Sequence, residues 1–333
     1  MTGTATIRGS LEFGFATGRV RACETRLLGR SHLERLLDTD SLGEQVRILS
    51  ESVYGGYLDD VSEIADVELA LRRASADLLG RFLESANLPV HVVRFLRAFE
   101  DYNELRGLLK AEALGLAPDV FLGGLGTVNA EKFAAGRLPA YLASVLSVVR
   151  GKALLDDETL ALDRIDQAVD AEMYRALFRQ AKAAKSGFLN KMAGVMVDVA
   201  NVKALVRTKA RGLPSDTLAD SFIAGGSLTQ EGLAGVYRYS AEEAAAYMTG
   251  FGVFSKVDPE ALFEPARFDV VADTVIARHA REEAMLVAAG PEPVFAYFFL
   301  RRVEIAIVRT LLCGMIAGVP RELLRARLRD VTR

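Results

Sequence analysis

The residues best suited to chemistry in this chain are scattered. His32, His91 and His279 stand alone, none in the HExxH spacing that puts two imidazoles and a general base on one helix face. Each reads as a surface or packing histidine, and a metal site would require them to converge with carboxylates in space. Phe121 to Thr127, FLGGLGT, is glycine-rich, but Gly123, Gly124 and Gly126 lack the later glycine of a dinucleotide loop and the Lys-Ser/Thr ending of a phosphate loop. The segment reads as a joint, and Phe222 to Thr229, FIAGGSLT, resembles it. Asp156-Asp157-Glu158-Thr159-Leu160 fails at the fifth position of the paired DDxxD motifs that hold magnesium in helical prenyl-diphosphate enzymes, and it has no partner motif. Cys23 and Cys313 lie near opposite ends with no Cys or His at metal-ligand spacing, which fits a reduced, intracellular setting. The expectation is no catalytic residue, no metal, no cofactor and no small-molecule substrate.

The elements that carry these residues are helical. Val92, Phe95, Leu96, Phe99, Tyr102, Leu105 and Leu109 recur by threes and fours, strand-like alternation is scarce, and the fold class expected is all-α. The chain has 333 residues, half of them apolar, enough for two or three domains or one repeated array. With 26% charged residues and a formal net charge of −3 there is no basic excess, so nucleic acid is not an expected partner. The N-terminus lacks the pattern of a secretory signal. The longest nearly apolar run, Leu138 to Val149, contains Pro139 and is far shorter than the roughly 20 residues of a membrane helix.

Three segments align without a gap: Asp101 to Gly115, Asp198 to Gly212 and Glu304 to Gly318. Counting back from the glycine, position fourteen is acidic (Asp101, Asp198, Glu304) and position nine is basic (Arg106, Lys203, Arg309). Position seven is Leu108, Leu205 and Leu311. Pro118, Pro214 and Pro320 follow the glycines closely, which writes a helix C-terminus three times over. The glycines lie 97 and 106 residues apart, and Asp66, Asp163 and Asp269 share one offset upstream, each a plausible start for a preceding helix. Three homologous helical units follow, 1–120, 121–221 and 222–333, each with a long helical hairpin. Three units are few for an open solenoid, and closure about a pseudo-threefold axis would make a funnel suited to the end of a shaft.

The repeated acid and base lie five residues apart, about 140° around a helix, so they cannot pair with each other. They either join the hairpins to one another or face a cavity and contact a partner. Arg19, Arg21, Arg26, Arg30 and Arg35, with Arg321, Arg325, Arg327, Arg329 and Arg333, are the strongest basic clusters. They are either solvated helix faces complemented by acids or docking points for an acidic protein surface or for anionic headgroups beside a membrane.

The acid, the aliphatic-basic pair, the Leu with its aliphatic neighbour and the closing glycine together resemble the C subunit of the archaeal and bacterial V/A-type ATPases, known as the d subunit in eukaryotes. Arg19-Val20-Arg21-Ala22 with Glu24, Leu27 and Leu28 resembles that family's opening helix, and Leu49, Ser52 and Tyr54 its next pattern. Pro291-Glu292-Pro293-Val294 with Tyr297, Arg302, Glu304, Ile305 and Arg309 resembles its last hairpin. Ser52 stands where the family often has Thr, and Cys313 where the first two repeats are basic. The resemblance implies a non-catalytic, funnel-shaped rotor part on the cytoplasmic face of the membrane. It would accept the central shaft and rest on the proteolipid ring, with Asp101, Arg106, Asp198, Lys203, Glu304 and Arg309 as partner-binding candidates. The competing expectation is a free-standing helical scaffold that binds other proteins.

Overall fold

A computed structural model describes residues 3–118, 126–153 and 158–328, and among them are helices and connecting turns but no strand. In chain order the helices are α1 (Gly3–Glu24), α2 (Arg30–Leu37), α3 (Leu42–Ser50), α4 (Ile64–Ser75), α5 (Arg81–Ser85), α6 (Val90–Leu114), α7 (Ala130–Ala134), α8 (Ala140–Ala153) and α9 (Glu158–Ala183). There follow α10 (Gly187–Ala210), α11 (Asp216–Ser221), α12 (Gln230–Tyr237), α13 (Ala241–Thr249), α14 (Pro259–Leu262), α15 (Pro265–Ala284), α16 (Pro291–Ile316) and α17 (Arg321–Arg325). A π turn, Ala76–Gly80, links α4 to α5.

The chain forms two compact bodies. One comprises the residues up to Leu88 and those from Gly194 onward, and the other comprises Pro89–Ala193. The three sequence repeats divide the chain by similarity instead of by compactness.

In the first body α16 is the central element, packed on α1, α3, α4, α15 and α17. Its residues Val294 to Leu300 are buried without interruption, as expected of a helix apolar all round. Each such Phe, Val or Leu gains roughly 1.5–3 kcal/mol from leaving water. Phe13, Ala16 and Val20 give α1 its buried stripe. In the second body α6 packs on α9, and α8 packs on α9.

Helix ends are set locally. Gly115, Gly212 and Gly318 all lie in the left-handed region, with φ of 63°, 63° and 65°. One residue further on, the N–H groups of Leu116, Leu213 and Val319 donate to the carbonyls of Ala111, Thr208 and Gly314 at 2.9, 3.1 and 2.9 Å. This is the same Schellman closure three times, as the glycine spacing predicts. The upstream acids fare differently. Asp66 is in the first turn of α4, where its carboxylate accepts from the N–H groups of Ser62 and Glu63 at 3.0 Å. Asp163 and Asp269 stand inside α9 and α15, which begin at Glu158 and Pro265.

Candidate functional site

The acid at position fourteen of each long helix is buried, with 2, 1 and 4% exposure for Asp101, Asp198 and Glu304. A buried carboxylate needs donors, and each finds them in a loop that opens a repeat. Asp101 on α6 accepts from the N–H and hydroxyl of Thr127 at 2.6 and 2.9 Å, and from the Tyr141 hydroxyl. Asp198 on α10 accepts from the N–H and hydroxyl of Ser227 at 2.9 and 2.7 Å, and from the Leu228 N–H at 3.0 Å. Glu304 on α16 accepts from the Leu28 N–H, from the Tyr54 hydroxyl at 2.7 Å and from Arg301.

The three loops are equivalent. Leu28, Val128 and Leu228 lie at intervals of one hundred residues, all three are buried, and each precedes the N-cap of a short helix: Gly29, Asn129 and Thr229. The carboxylate of the first repeat therefore holds the opening loop of the second. That of the second holds the third, and that of the third reaches back to the first.

The bases follow the same order. Arg106 on α6 pairs with Asp166 at 3.3 Å and with Asp170, both on α9. Lys203 on α10 meets Asp269 on α15 at 2.6 Å. Arg309 on α16 meets Glu68 on α4 at 3.1 Å. Lys203 and Arg309 keep 46 and 40% of their side chains exposed, so these two pairs are worth little to stability, while the acids have no such access.

Close approach explains two glycines that the sequence offers as flexible joints. A Cβ on Gly226 would lie 2.0 Å from the Asp198 carboxylate, and one on Gly126 would lie 2.4 Å from Glu104, whose carboxylate accepts the Gly126 N–H at 2.9 Å. The one-hundred-residue register puts Arg26 at the same place in the first repeat, where the bracing acid is Glu304, one methylene longer than aspartate. Far from hinging freely, the second joint is tied down, since Ile223 exchanges both backbone bonds with the Asn201 amide at 2.8 and 2.9 Å. Gly123 and Gly124 lie outside the described residues.

The third contact carries more charge than the others. Arg301 is 1% exposed and donates to Glu304 and to the Arg26 carbonyl, the latter at 3.2 Å. Burial disfavours its charge, but Glu304 and the oxygens of Tyr54 and Tyr297 outweigh this and hold the guanidinium protonated. Burial and then the neighbouring Glu304 push the Tyr54 hydroxyl well above its ordinary value, so it stays a donor. Sequence reasoning missed Tyr54 and Arg301 as partners of Glu304. A cavity of about 190 Å³ opens beside this carboxylate.

The other candidates remain apart. His32 is exposed on α2, His91 on α6 bonds to Gln180 at 2.9 Å, and Nδ1 of His279 on α15 is 2.9 Å from the Val275 carbonyl. Cys23 and Cys313 are free thiols. Among the described residues no group of three or more His, Cys, Asp or Glu is placed to hold a metal ion. Asp156 and Asp157 lie outside the described residues. Four of the terminal arginines meet acids: Arg21 meets Glu24 at 2.9 Å, Arg30 meets Glu34 at 3.6 Å, Arg321 meets Asp40 at 2.5 Å and Arg325 meets Asp38 at 3.1 Å, while Arg329 and Arg333 lie outside the described residues. No described helix is long and apolar enough to cross a membrane.

Known proteins carry the same sequence pattern. The family model of the ATP synthase (C/AC39) subunit matches residues 16–327. The C subunit of the A-type ATP synthase of Methanocaldococcus jannaschii is 26% identical over 231 residues, covering 62% of this chain and 57% of that one. The C subunit of the V-type ATP synthase of Thermus thermophilus is 28% identical over 224 residues, covering 65 and 68%. The C subunit of the A-type ATP synthase of Methanothermobacter thermautotrophicus is 27% identical over 338 residues, covering 90 and 84%. The match thus spans a little over half the length of the first of these relatives and most of the third. With the family pattern running through nearly its whole length, this chain belongs to the ATP synthase (C/AC39) subunit family.

Proposed function

We propose that this protein is a non-catalytic central-stalk subunit of a V/A-type ATP synthase or ATPase, a socket on the cytoplasmic side that couples the central shaft to the membrane proteolipid ring. The observation that carries the reading is the contact of Glu304 with Leu28 and Tyr54, residues 276 and 250 positions away. A third brace that returns to the first repeat supports three helical walls, 1–120, 121–221 and 222–333, closed about a pseudo-threefold axis. Such a part transmits torque only if its walls do not slide, and buried charge-assisted bonds resist sliding better than exposed pairs.

Within this reading the six polar residues divide their work. Asp101, Asp198 and Glu304 fix the walls, while Arg106, Lys203 and Arg309, at one position of each long helix, are the side chains that reach the shaft.

The test is gentle detergent extraction of native membranes that carry a tagged copy, followed by intact-complex mass spectrometry. One copy beside shaft, head and proteolipid subunits is expected. Recovery of the chain only as a free soluble protein overturns the reading in favour of an independent helical scaffold.

A further inference from the structure

Charge is sorted along the second body. At one end the acids of α9 are occupied, Asp166 by Arg106 and Lys110, and Asp170 by Arg106. At the other end two stretches carry no Asp or Glu at all: 89–99, which opens α6, and 173–193, which closes α9 and opens α10. The contact of His91 with Gln180 at 2.9 Å sets the start of α6 beside the end of α9. Seven Lys and Arg residues belong to these two stretches, in a chain whose formal net charge is −3.

Arg175 is taken by Glu172. Arg94, Arg179, Lys182 and Lys185 are exposed and meet no carboxylate among the described residues. Like charges gathered in this way repel one another and cost stability. The helix dipoles explain Lys182, which lies in the last turn of α9, but not the rest. Neither α6 nor α10 has an acid in its first turn, where one would be stabilising, and Arg94 and Lys191 stand one turn in from those positive ends. Cations held unpaired against this cost fit an anion from outside the chain.

The apolar side chains of the same stretches narrow the choice of anion. Val90, 54% exposed, is their one exposed large apolar residue, while Phe188 and Leu189 are buried. A protein partner binds through a cluster of apolar or aromatic anchors that seat a dry core. A headgroup layer needs only accessible charge, and clusters of about four to eight Lys or Arg are its usual complement.

We infer that this end of the second body is a docking surface for anionic lipid headgroups. The inference rests on the proposed function for the nearness of a membrane, and it adds a hold on that membrane besides the proteolipid ring.

The test is flotation of the full-length protein with vesicles, which needs no other subunit and so can fail without touching the function proposed above. The wild type should float with mixed phosphatidylglycerol and phosphatidylcholine vesicles and stay behind with phosphatidylcholine alone. It should be released in about 1 M salt, where the Debye length is about 3 Å. Each Lys or Arg near an anionic surface is worth roughly fivefold in affinity. Lys182→Gln with Lys185→Gln should therefore weaken binding about tenfold or more at an unchanged melting temperature. Arg321→Gln with Arg325→Gln removes the same charge from the first body, where both arginines already face acids, and should bind as the wild type does. Equal losses in the two double variants would reduce the effect to net charge and overturn the surface. Wild-type binding by the stable lysine variant overturns it as well, as does a wild type that ignores the anionic vesicles. If the wild type ignores vesicles while the lysine variant rebinds weakly to membranes stripped of this subunit, the lipid assignment falls and an acidic protein takes its place.

Discussion

Asp198 and Ser227 are joined twice, because the serine N–H and its hydroxyl both donate to one carboxylate oxygen. With the Leu228 N–H on the other oxygen, a single side chain fixes the opening loop of the third repeat. Asp198→Ala leaves the buried Leu228 N–H without an acceptor, at about 1–3 kcal/mol, while the exposed Ser227 donors can turn to water. Urea unfolding should show a loss of about 1–3 kcal/mol, and an unchanged midpoint would refute the bracing role.

Gly226→Ala sets a methyl against the same carboxylate. It should destabilise by about 1–3 kcal/mol, as overpacking does. Gly235→Ala, inside α12 with open space at its Cβ position, should stabilise by up to about 1 kcal/mol. Thermal melts of the pair test this, and equal shifts would mean that Gly226 is there for flexibility after all.

The three cap glycines form an internal control. Gly115→Ala, Gly212→Ala and Gly318→Ala each force a side chain into the left-handed region with open space around it, so backbone strain is the common term. Each should cost about 1–2 kcal/mol. A spread much wider than that among the three melts would show that the caps are not equivalent.

Alkaline pH should act through the tyrosines. Tyr54 is raised well above its ordinary value near 10, while Tyr102 and Tyr297 rise to about 12, burial being the largest cause in each. A raised folded value means that their contribution is complete below about pH 10, where the unfolded hydroxyls are still protonated, and is lost as pH climbs through the folded values. Stability should therefore fall steeply above pH 10. Tyr54→Phe should be less stable at pH 7, by about 1.5–3 kcal/mol for a bond to a charged group, yet lose less on going to pH 11. A pH profile parallel to that of the wild type would contradict the assignment.

Lys203→Glu and Arg309→Glu should change stability by no more than about 1 kcal/mol, since both pairs are substantially exposed. If these side chains reach the shaft, rebinding should weaken and its salt dependence should change. Binding that is insensitive to both reversals would confine the two residues to their intramolecular pairs.

Much of the fold is legible in the sequence because it is repeated. The glycine caps and the recurrence of the acids follow from offsets that chance does not reproduce, and the all-helical pattern from apolar spacing by threes and fours, whereas the burial of the acids is decided only in space. The loops were legible only as glycine-rich joints, because a glycine kept small by a close neighbour looks the same in sequence as one kept for flexibility. Gly226 and Asp198 decide that only in space. The partners of Glu304 had no sequence signal, since Ala98 and Val195 stand at the register of Arg301, the tyrosine on Asp101, Tyr141, lies at a different offset from Tyr54, and Leu28 lies at the far end of the chain. Asp269 had the right offset but the wrong role. Pro265 starts α15, and the aspartate is left to face Lys203.

The order of assembly follows from the separations across the three braces. Asp101 reaches 26 residues forward to Thr127 and Asp198 reaches 29 to Ser227, whereas Glu304 must find Leu28 across 276. Closing the longer span costs about 2 kcal/mol more entropy on the logarithmic loop law, and it waits for the last long helix to leave the ribosome. During synthesis the first two joins can set while Leu28 and Tyr54 are still without their acceptor. The newborn chain should therefore be most vulnerable to proteases and most attractive to chaperones in its first sixty residues, until the last long helix arrives.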